Sequence, residues 1–345
     1  MARRFIILIF CCIIGQWAQA QDPQFSQFYA APLYLNPAFA GSAFAPRGTI
    51  NYRNQWPALS ANYITSTASF DYYFDKYRSG VGLLVMNDTQ FSNLKSTEIG
   101  LQYSYNLKID EEHFMRFGLQ GSSVTRSADF YQLTFGDQLT DRGPNGRPSL
   151  DPVANTGPQI HYADFSSGIL TYSRHWWAGI AVNHINRPNQ SFVNGQVEHL
   201  PMKFSFHAGY KIPLDTYQAS NGLGADLDRE ISISPAIMYK RQGNFDQLDA
   251  GIYFTFEPLV LGLWYRGIPI KQYKQGINNH DALVFLIGYR QDHFSFGYSY
   301  DATISTLGVA SGGSHEISIS YLFDNFTKKK RPKPYKKREL SCPKF

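Results

Sequence analysis

Residues that could do chemistry are frequent in this sequence, but their spacing matches no catalytic or zinc-binding motif. The nine histidines are scattered and form no H-E-x-x-H sequence, so no zinc site is predicted. Serine and histidine are common, yet the G-x-S-x-G turn that exposes a nucleophilic serine is absent. We therefore predict that the protein is not an enzyme and carries no cofactor.

One segment, Ser127 to Gly157, is rich in carboxylates, which are the ligands that Ca²⁺ prefers. Calcium loops follow the order D-x-[DN]-x-[DN]-G, and this segment does not. We interpret it as a solvated loop and predict no metal site. Its aspartates, separated by glycine and proline, are Asp129, Asp137, Asp141 and Asp151.

The first twenty residues have the composition of a secretory signal peptide. Arg3 and Arg4 form a basic start, residues 5–14 are apolar, and Ala18-Gln19-Ala20 fits a cleavage site. The apolar run is too short to span a bilayer as a helix. We predict an exported protein that begins at Gln21 and meets no nucleic acid.

The chain ends in a strongly basic segment, in which nine basic residues face one glutamate between Thr327 and Phe345. The whole chain has a formal charge of +5. Without this segment and the two signal arginines, the body of the protein is therefore mildly acidic. Prolines keep the tail extended and accessible, so it could dock to a periplasmic protein or be held electrostatically by acidic head groups. Cys342, the only cysteine after the signal, is either a solvated thiol or a site of intermolecular pairing. The candidate partner-binding residues are Lys328, Lys329, Lys330, Arg331, Lys336, Lys337, Arg338 and Cys342.

The stretch from Gln21 to Trp56 is rich in glutamine, asparagine, proline and aromatic residues, and nearly free of charge. Proline fixes φ and removes a backbone donor, and four prolines here predict an extended strap. Its aromatic side chains need an apolar surface, so the strap should pack inside or beneath a larger body.

The run DPQFSQFYAAPLYLNPAFAG, followed by NYRNQWP at Asn51 to Pro57, resembles the opening of the PorP/SprF family. Those are outer-membrane proteins attached to the type IX secretion system of Bacteroidetes, and the terminal CPKF is also similar. The resemblance implies a non-enzymatic component of secretion or gliding that helps to deliver or retain cargo such as a large adhesin. It also implies contacts with periplasmic secretion components and with the C-terminal domain of the cargo. The strap residues singled out are Asp22, Pro23, Gln24, Phe25, Gln27, Tyr29, Pro32, Leu35, Asn36, Pro37 and Gly41.

Beyond the strap, apolar and polar residues alternate in segments of about ten residues. In Gly100 to Leu107 and in Lys203 to Ile212, for example, aromatic or aliphatic residues alternate with Gln, Ser, Asn, His or Gly. Period two with one oily face and one wet face predicts strands of a membrane barrel or of a soluble sandwich. Fourteen strands are predicted, at 48–54, 62–74, 79–87, 96–107, 113–126, 158–173, 175–184, 202–212, 230–241, 245–256, 259–266, 282–291, 294–301 and 315–323.

The lengths of the connections favour the barrel. Tight turns alternate with longer segments at 87–95, 127–157, 185–201, 267–281 and 302–314, as expected for periplasmic turns and extracellular loops. Residues 213–229 and 242–244 break this rule. An even number of strands places both chain ends on the periplasmic side.

Five charged residues fall on predicted inward faces: Arg116, Lys211, Arg266, Asp71 and Asp249. They could line a translocation path, or form ion pairs that fill a narrow lumen, which is the interpretation we favour.

We predict an all-β outer-membrane barrel of about fourteen antiparallel strands in contact with outer-membrane lipid. The predicted parts are a signal peptide at 1–20, a strap at or in the lumen at 21–47, the barrel at 48–323 and a basic periplasmic tail at 324–345. The alternative function is a transport barrel for hydrophobic or small solutes, with the strap as a removable hatch.

Overall fold

The computed structural model describes most of the chain between Asp22 and Phe323. The predicted signal peptide and basic tail lie outside the described residues. The described ranges are 22–60, 62–91, 94–128, 134–141, 143–151, 159–193, 195–214, 230–274, 277–305 and 308–323.

Fourteen antiparallel strands form one closed barrel, as predicted. They are β1 Arg47–Gln55, β2 Tyr63–Phe74, β3 Ser79–Gln90, β4 Leu94–Lys108, β5 Phe114–Ala128, β6 Gln159–Tyr172, β7 Trp176–Asn183, β8 Lys203–Tyr210 with its continuation Ile212–Pro213, β9 Ile231–Gln242, β10 Phe245–Phe256, β11 Leu259–Lys274, β12 Ile277–Gln291, β13 Phe294–Thr303 and β14 Ser314–Leu322. Each strand pairs with its neighbours in sequence, and β1 pairs with β14 from Arg47↔Leu322 to Gln55↔Ser314. This closure removes both sheet edges, which decides for the barrel over the sandwich.

The alternating residues point in the directions that the barrel requires. On β4, Leu101 is 68% exposed, whereas its neighbour Gln102 is 4% exposed and faces the interior. Tyr103 and Tyr105 are likewise exposed, while Ser104 and Asn106 are buried. The wall therefore has an apolar outer face and a polar inner face. Among the described residues, no helix has the length and apolarity needed to cross a membrane.

Two of the predicted long loops are wrong. Residues 267–281 mostly belong to β11 and β12, whose ladder contains register shifts between Arg266 and Gly267 and again beyond Ile268. Such bulges interrupt the period-two pattern that was used to find strands. Residues 87–95 mostly belong to β3 and β4. The sequence pattern missed them, because the polar ends of these strands carry no apolar alternation.

The segment before β1 is compact and not the extended strap that its prolines predict. It folds into the 3-10 turn Phe28–Ala30, the short α-helix Pro32–Leu35 and the 3-10 turn Pro37–Phe39. Pro32 and Pro37 each stand at the start of a helical turn, where a missing N–H costs no hydrogen bond. The other short elements lie in connections: Asp75–Tyr77, Gly136–Gln138, Val309–Ser311 and the ribbon Leu139–Thr140 with Gly143–Pro144.

Candidate functional site

Residues 22–46, called the plug below, run through the barrel from one rim to the other. Asp22 bonds to the Lys203 and Gln242 side chains, at the rim where the connections after β5 and β7 are long. Gly41 donates its N–H to Asp71 near the opposite rim, which carries the short turns. From residue 25 to 46, all but Tyr34 and Ala43 are fully buried.

The chain ends as described therefore lie at opposite rims. Phe323 donates its N–H to Pro46 at the short-turn rim, whereas Asp22 stands at the long-loop rim. The described chain ends therefore do not share one side of the barrel, contrary to the expectation from the even number of strands. Strand parity fixes where β1 starts, but not the path of the residues before it.

The first anchor of the plug is the carboxylate of Glu316 on β14. It accepts the backbone N–H of Ser26 at 2.7 Å and that of Gln27 at 2.9 Å. The Gln27 side chain in turn donates to the Glu316 carbonyl at 3.0 Å and accepts the Ser318 hydroxyl at 2.7 Å. A carboxylate that accepts two adjacent amides fixes both the position and the direction of the chain.

Two arginines surround this anchor. Ser26 Oγ donates to Asp301 at 2.6 Å and accepts from Arg53 at 2.7 Å and from Arg266 at 2.8 Å. Arg53 pairs with Asp301 and Glu316 at 2.8 and 3.1 Å. Arg266 pairs with Asp249 and Asp301 at 2.7 and 2.8 Å. These five charged side chains are at most 3% exposed, so each depends on the others for compensation.

A second anchor lies on the wall formed by β4, β6 and β7. Asn36 Nδ2 donates to the carbonyls of Ile169 and Ile180, both at 3.1 Å. Gln102 on β4 donates to the Leu33 carbonyl at 2.7 Å. Side-chain amides of the plug and of the wall thus satisfy buried backbone carbonyls of one another.

The third anchor is Arg116 on β5. Its guanidinium donates to the carbonyls of Ala38 and Ala40 at 3.0 and 2.5 Å, and lies 5.7 and 5.4 Å from the rings of Phe44 and Tyr73. Arg116 was predicted to face inward, and it does, but it binds backbone carbonyls of the plug. Planar guanidinium suits such multiple acceptors better than an ammonium group would.

Aromatic side chains fill the space between the anchors. Phe28 meets Trp264 edge to face at 4.8 Å between ring centroids, and Tyr29 meets Trp177 at 5.7 Å. The Trp177 indole also donates to the Tyr29 hydroxyl at 2.7 Å. Aromatic contacts between the plug and the wall therefore form the core of the barrel.

Glycines on the inner wall make room for the plug backbone. A Cβ at Gly80 would lie 2.0 Å from the Ala40 carbonyl oxygen, and one at Gly118 would lie 2.1 Å from the Ala38 nitrogen. Gly in a strand often marks such close backbone approach. The wall and the plug are complementary in shape as well as in hydrogen bonding.

The upper end of the plug carries a charged cluster at the long-loop rim. His184 lies 2.8 Å from both Asp22 and Asp164, and Lys203 lies 2.7 Å from Asp22. Burial would lower the pKa of His184, but the two carboxylates offset this and raise its pKa to about 10. Burial opposes ionisation of Asp22 as well, and its cationic neighbours nevertheless hold its pKa well below the usual range. His184 and Asp22 are therefore both charged near neutral pH.

The remaining predicted inward charges are mostly placed as expected. Arg266, Asp249 and Asp71 are buried in lumen ion pairs, the last with Arg47 at 2.9 Å. Lys211 lies half-buried at the short-turn rim and pairs with Glu230. This arrangement supports the interpretation of lumen ion pairs over a charged translocation path.

Sequence reasoning missed Arg53, Asp301 and Glu316, three charged residues that contact Ser26 of the plug. The available signal was strand parity: Arg53 follows Thr49 and Asn51 on the inward face of β1, and Glu316 precedes Ser318 and Ser320 on that of β14.

No metal-binding cluster of three or more His, Cys, Asp or Glu residues occurs within the described part of the chain. In the carboxylate-rich loop, Asp137 is instead bonded to Ser149 Oγ at 2.7 Å and to the Leu150 N–H at 2.6 Å. Asp129 and the candidate residues of the basic tail lie outside the described residues.

Comparison with known proteins gives one family match. The family described as "Type IX secretion system membrane protein PorP/SprF" matches residues 18–321. No curated protein matches the sequence.

Several solved outer-membrane proteins are similar in fold. The P. putida toluene transporter TodX is 10% identical, with 84% of this chain and 93% of that chain covered and a TM-score of 0.45. The CymD monoaromatic hydrocarbon channel is 11% identical, with 86% and 94% covered and a TM-score of 0.44. Omp33 of Acinetobacter baumannii is 9% identical, with 81% and 98% covered and a TM-score of 0.38. At these identities and scores the likeness carries no argument about function.

Proposed function

Because the chain belongs to the PorP/SprF family of type IX secretion membrane proteins, we propose that it is a non-enzymatic outer-membrane component that assists delivery or surface anchoring of specific secreted cargo. The cargo class we propose is a large adhesin-like protein, recognised through its C-terminal domain.

The observation that carries this proposal is the anchored plug. The three anchors are Glu316 on β14, the wall formed by β4, β6 and β7, and Arg116 on β5. Each holds the plug by buried hydrogen bonds to charged or amide groups. Removing one partner of such a bond leaves the other buried and unsatisfied, which costs about 1–3 kcal/mol per group. A barrel whose lumen is held closed on several sides suits a docking component better than a solute channel. This weighs against the alternative of a transport barrel with a removable hatch.

Two regions are proposed to contact partners. On the outside, the segments Ser127–Gly157 and Ile185–Pro201, which follow β5 and β7 in sequence, would meet cargo. On the inside, the basic tail from Lys328 to Arg338 would bind acidic surfaces of periplasmic secretion components. The second contact is electrostatic and should weaken as salt rises.

The test is affinity purification from gently solubilised membranes, followed by mass spectrometry of the retained proteins. Three forms are compared: the full-length protein, a truncation before Thr327, and a full-length control in which only Lys211 is replaced by glutamine. We expect the full-length and control proteins to retain exported cargo and periplasmic components, and the truncation to lose the periplasmic set. Recovery of the full-length protein without cargo or secretion components would overturn the proposal.

A further inference from the structure

A cavity of about 360 Å³ lies beside the first residues of the plug, near the long-loop rim. Its apolar lining includes Phe25, Phe28, Met238, Trp56 and Phe245. Its volume falls in the range of small-molecule sites, about 300–1,000 Å³, and its mixed apolar and polar lining is also typical of such sites.

Most charged groups that line this cavity are already paired. Asp22 is held by Lys203 and His184, and Asp246 is held by Lys271. His280 is bonded to the Tyr265 hydroxyl through Nδ1. These side chains are therefore already engaged within the protein.

Two lining residues are different. Lys240, half-buried on β9, makes no ion pair within the described chain, and its ammonium reaches only the Gln24 side-chain oxygen at 3.5 Å. Asp281, half-buried on β12, has no ion pair within 4 Å and no side-chain hydrogen bond among the described residues, and its main electrostatic partner is Arg266, which already pairs with Asp249 and Asp301. An ionisable group inside a membrane protein without a partner is costly and marks a functional site.

A third unsatisfied group stands in the same wall. Asn279 is 5% exposed, and its Nδ2 donor has no hydrogen-bond partner. Asn279 and Asp281 belong to β12, whereas Lys240 pairs with Gln247 across β9 and β10. The cavity thus offers a cation, an anion and an amide donor around an apolar floor.

The charges also constrain the chemistry of the ligand. Lys240 and Asp281 do not pair with each other, so one ligand that satisfies both must carry an anionic and a cationic group. An extended peptide advances about 3.3–3.6 Å per residue and carries an ammonium at one end and a carboxylate at the other.

We propose that this cavity binds a short apolar peptide, with its carboxylate at Lys240 and its ammonium at Asp281. The site is separate from the proposed cargo and tail contacts and does not depend on the secretion role.

The test uses isothermal titration of the full-length protein in detergent with three probes. These are the dipeptide Leu-Phe, its N-acetyl form, which lacks the ammonium, and its C-terminal amide, which lacks the carboxylate. We expect Leu-Phe to bind saturably with a Kd below about 1 mM, and each blocked form to bind about tenfold more weakly or worse.

Variants assign each end of the ligand. Lys240→Gln should weaken Leu-Phe and its N-acetyl form by about tenfold and leave the amide form unchanged. Asp281→Asn should weaken Leu-Phe and the amide form and leave the N-acetyl form unchanged. Lys240→Arg and the rim control Lys211→Gln should retain binding, which separates loss of the site from loss of the fold.

Three results would overturn the proposal. They are the absence of saturable Leu-Phe binding to the wild type, equal binding of free and blocked peptides, and binding that neither Lys240→Gln nor Asp281→Asn changes. Trp56 lines the cavity, and a change in tryptophan fluorescence on adding Leu-Phe that is lost in Trp56→Phe gives an independent readout of occupancy.

Discussion

At the scale of single residues, the fit of the inner wall to the plug depends on glycines, which lack a side chain, as much as on the side chains that contact the plug. Gly118 faces the plug, whereas Gly121, three residues along the same strand, has Phe165 as its neighbour on the lipid-facing side. A Cβ at Gly118 would overlap the Ala38 nitrogen, while one at Gly121 would meet the Phe165 ring at 3.6 Å, an ordinary contact. The two positions therefore form a matched pair.

We predict that Gly118→Ala destabilises the protein by about 1–3 kcal/mol, because overpacking must move plug backbone that is held by Arg116. The Gly121→Ala control should change stability by less than about 0.5 kcal/mol. The midpoint of guanidinium unfolding in detergent measures both. Equal midpoints for the two variants would show that the plug does not pack on Gly118 in solution.

His184 gives a pH-dependent prediction. Its folded pKa, about 10, lies above the ordinary value of 6.5, so its contribution to stability is complete below pH 6.5 and is lost as pH rises through 10. We predict that His184→Gln is less stable than wild type, on the order of 2 kcal/mol at pH 6, and that the difference shrinks toward pH 10.

The same unfolding measurement at several pH values checks this, with His199→Gln as the control. His199 lies in an exposed loop and is bonded to the Arg187 carbonyl. A wild-type advantage that stays constant or grows between pH 7 and pH 10 would contradict the ion cluster around Asp22.

At the scale of elements, the plug depends on how strand residues reach it. Glu316 is the only carboxylate in the described chain that accepts the amides of both Ser26 and Gln27, and it also faces Arg53. Its side chain is fully buried, so water could not take over its hydrogen bonds if Glu316 were replaced.

We predict that Glu316→Gln destabilises the protein by about 3–5 kcal/mol, because it leaves Arg53 with one counter-charge fewer in a dry site. Glu198→Gln, in an exposed loop, is the control and should be close to neutral. Chemical unfolding of both variants provides the measurement. A Glu316→Gln protein as stable as wild type would mean that the plug is not anchored on β14.

The elements also show where sequence reasoning succeeds. Alternation in β4 and β5 predicts those strands nearly to their ends, because each has one lipid-facing and one lumen-facing side. Alternation fails at the bulged β11, where Gly267 has φ +145° and the faces change. It also says nothing of the plug, whose prolines start helical turns that only the surrounding wall stabilises.

At the scale of the whole molecule, a barrel with an apolar outer face and a polar inner face surrounds a core made by its own N-terminal segment. The family and the barrel were predictable from local signals, namely the motif after the signal peptide and the period-two strands. The candidate site was only partly predictable. Parity identifies inward charges such as Arg116 and Arg266, but their partners come from residues about 80 and 240 positions away in sequence. No local pattern encodes such pairings.

The plug closes the lumen of the barrel. Ion conductance in planar bilayers tests this closure most directly. Wild type is compared with a variant in which residues 24–40 are replaced by a glycine-serine linker of equal length. We predict no stepwise conductance for wild type and clear channel openings for the variant, because a barrel of fourteen strands without its plug leaves an aqueous lumen. Stepwise conductance of wild type equal to that of the variant would contradict the account, since the lumen would then be open with the plug in place.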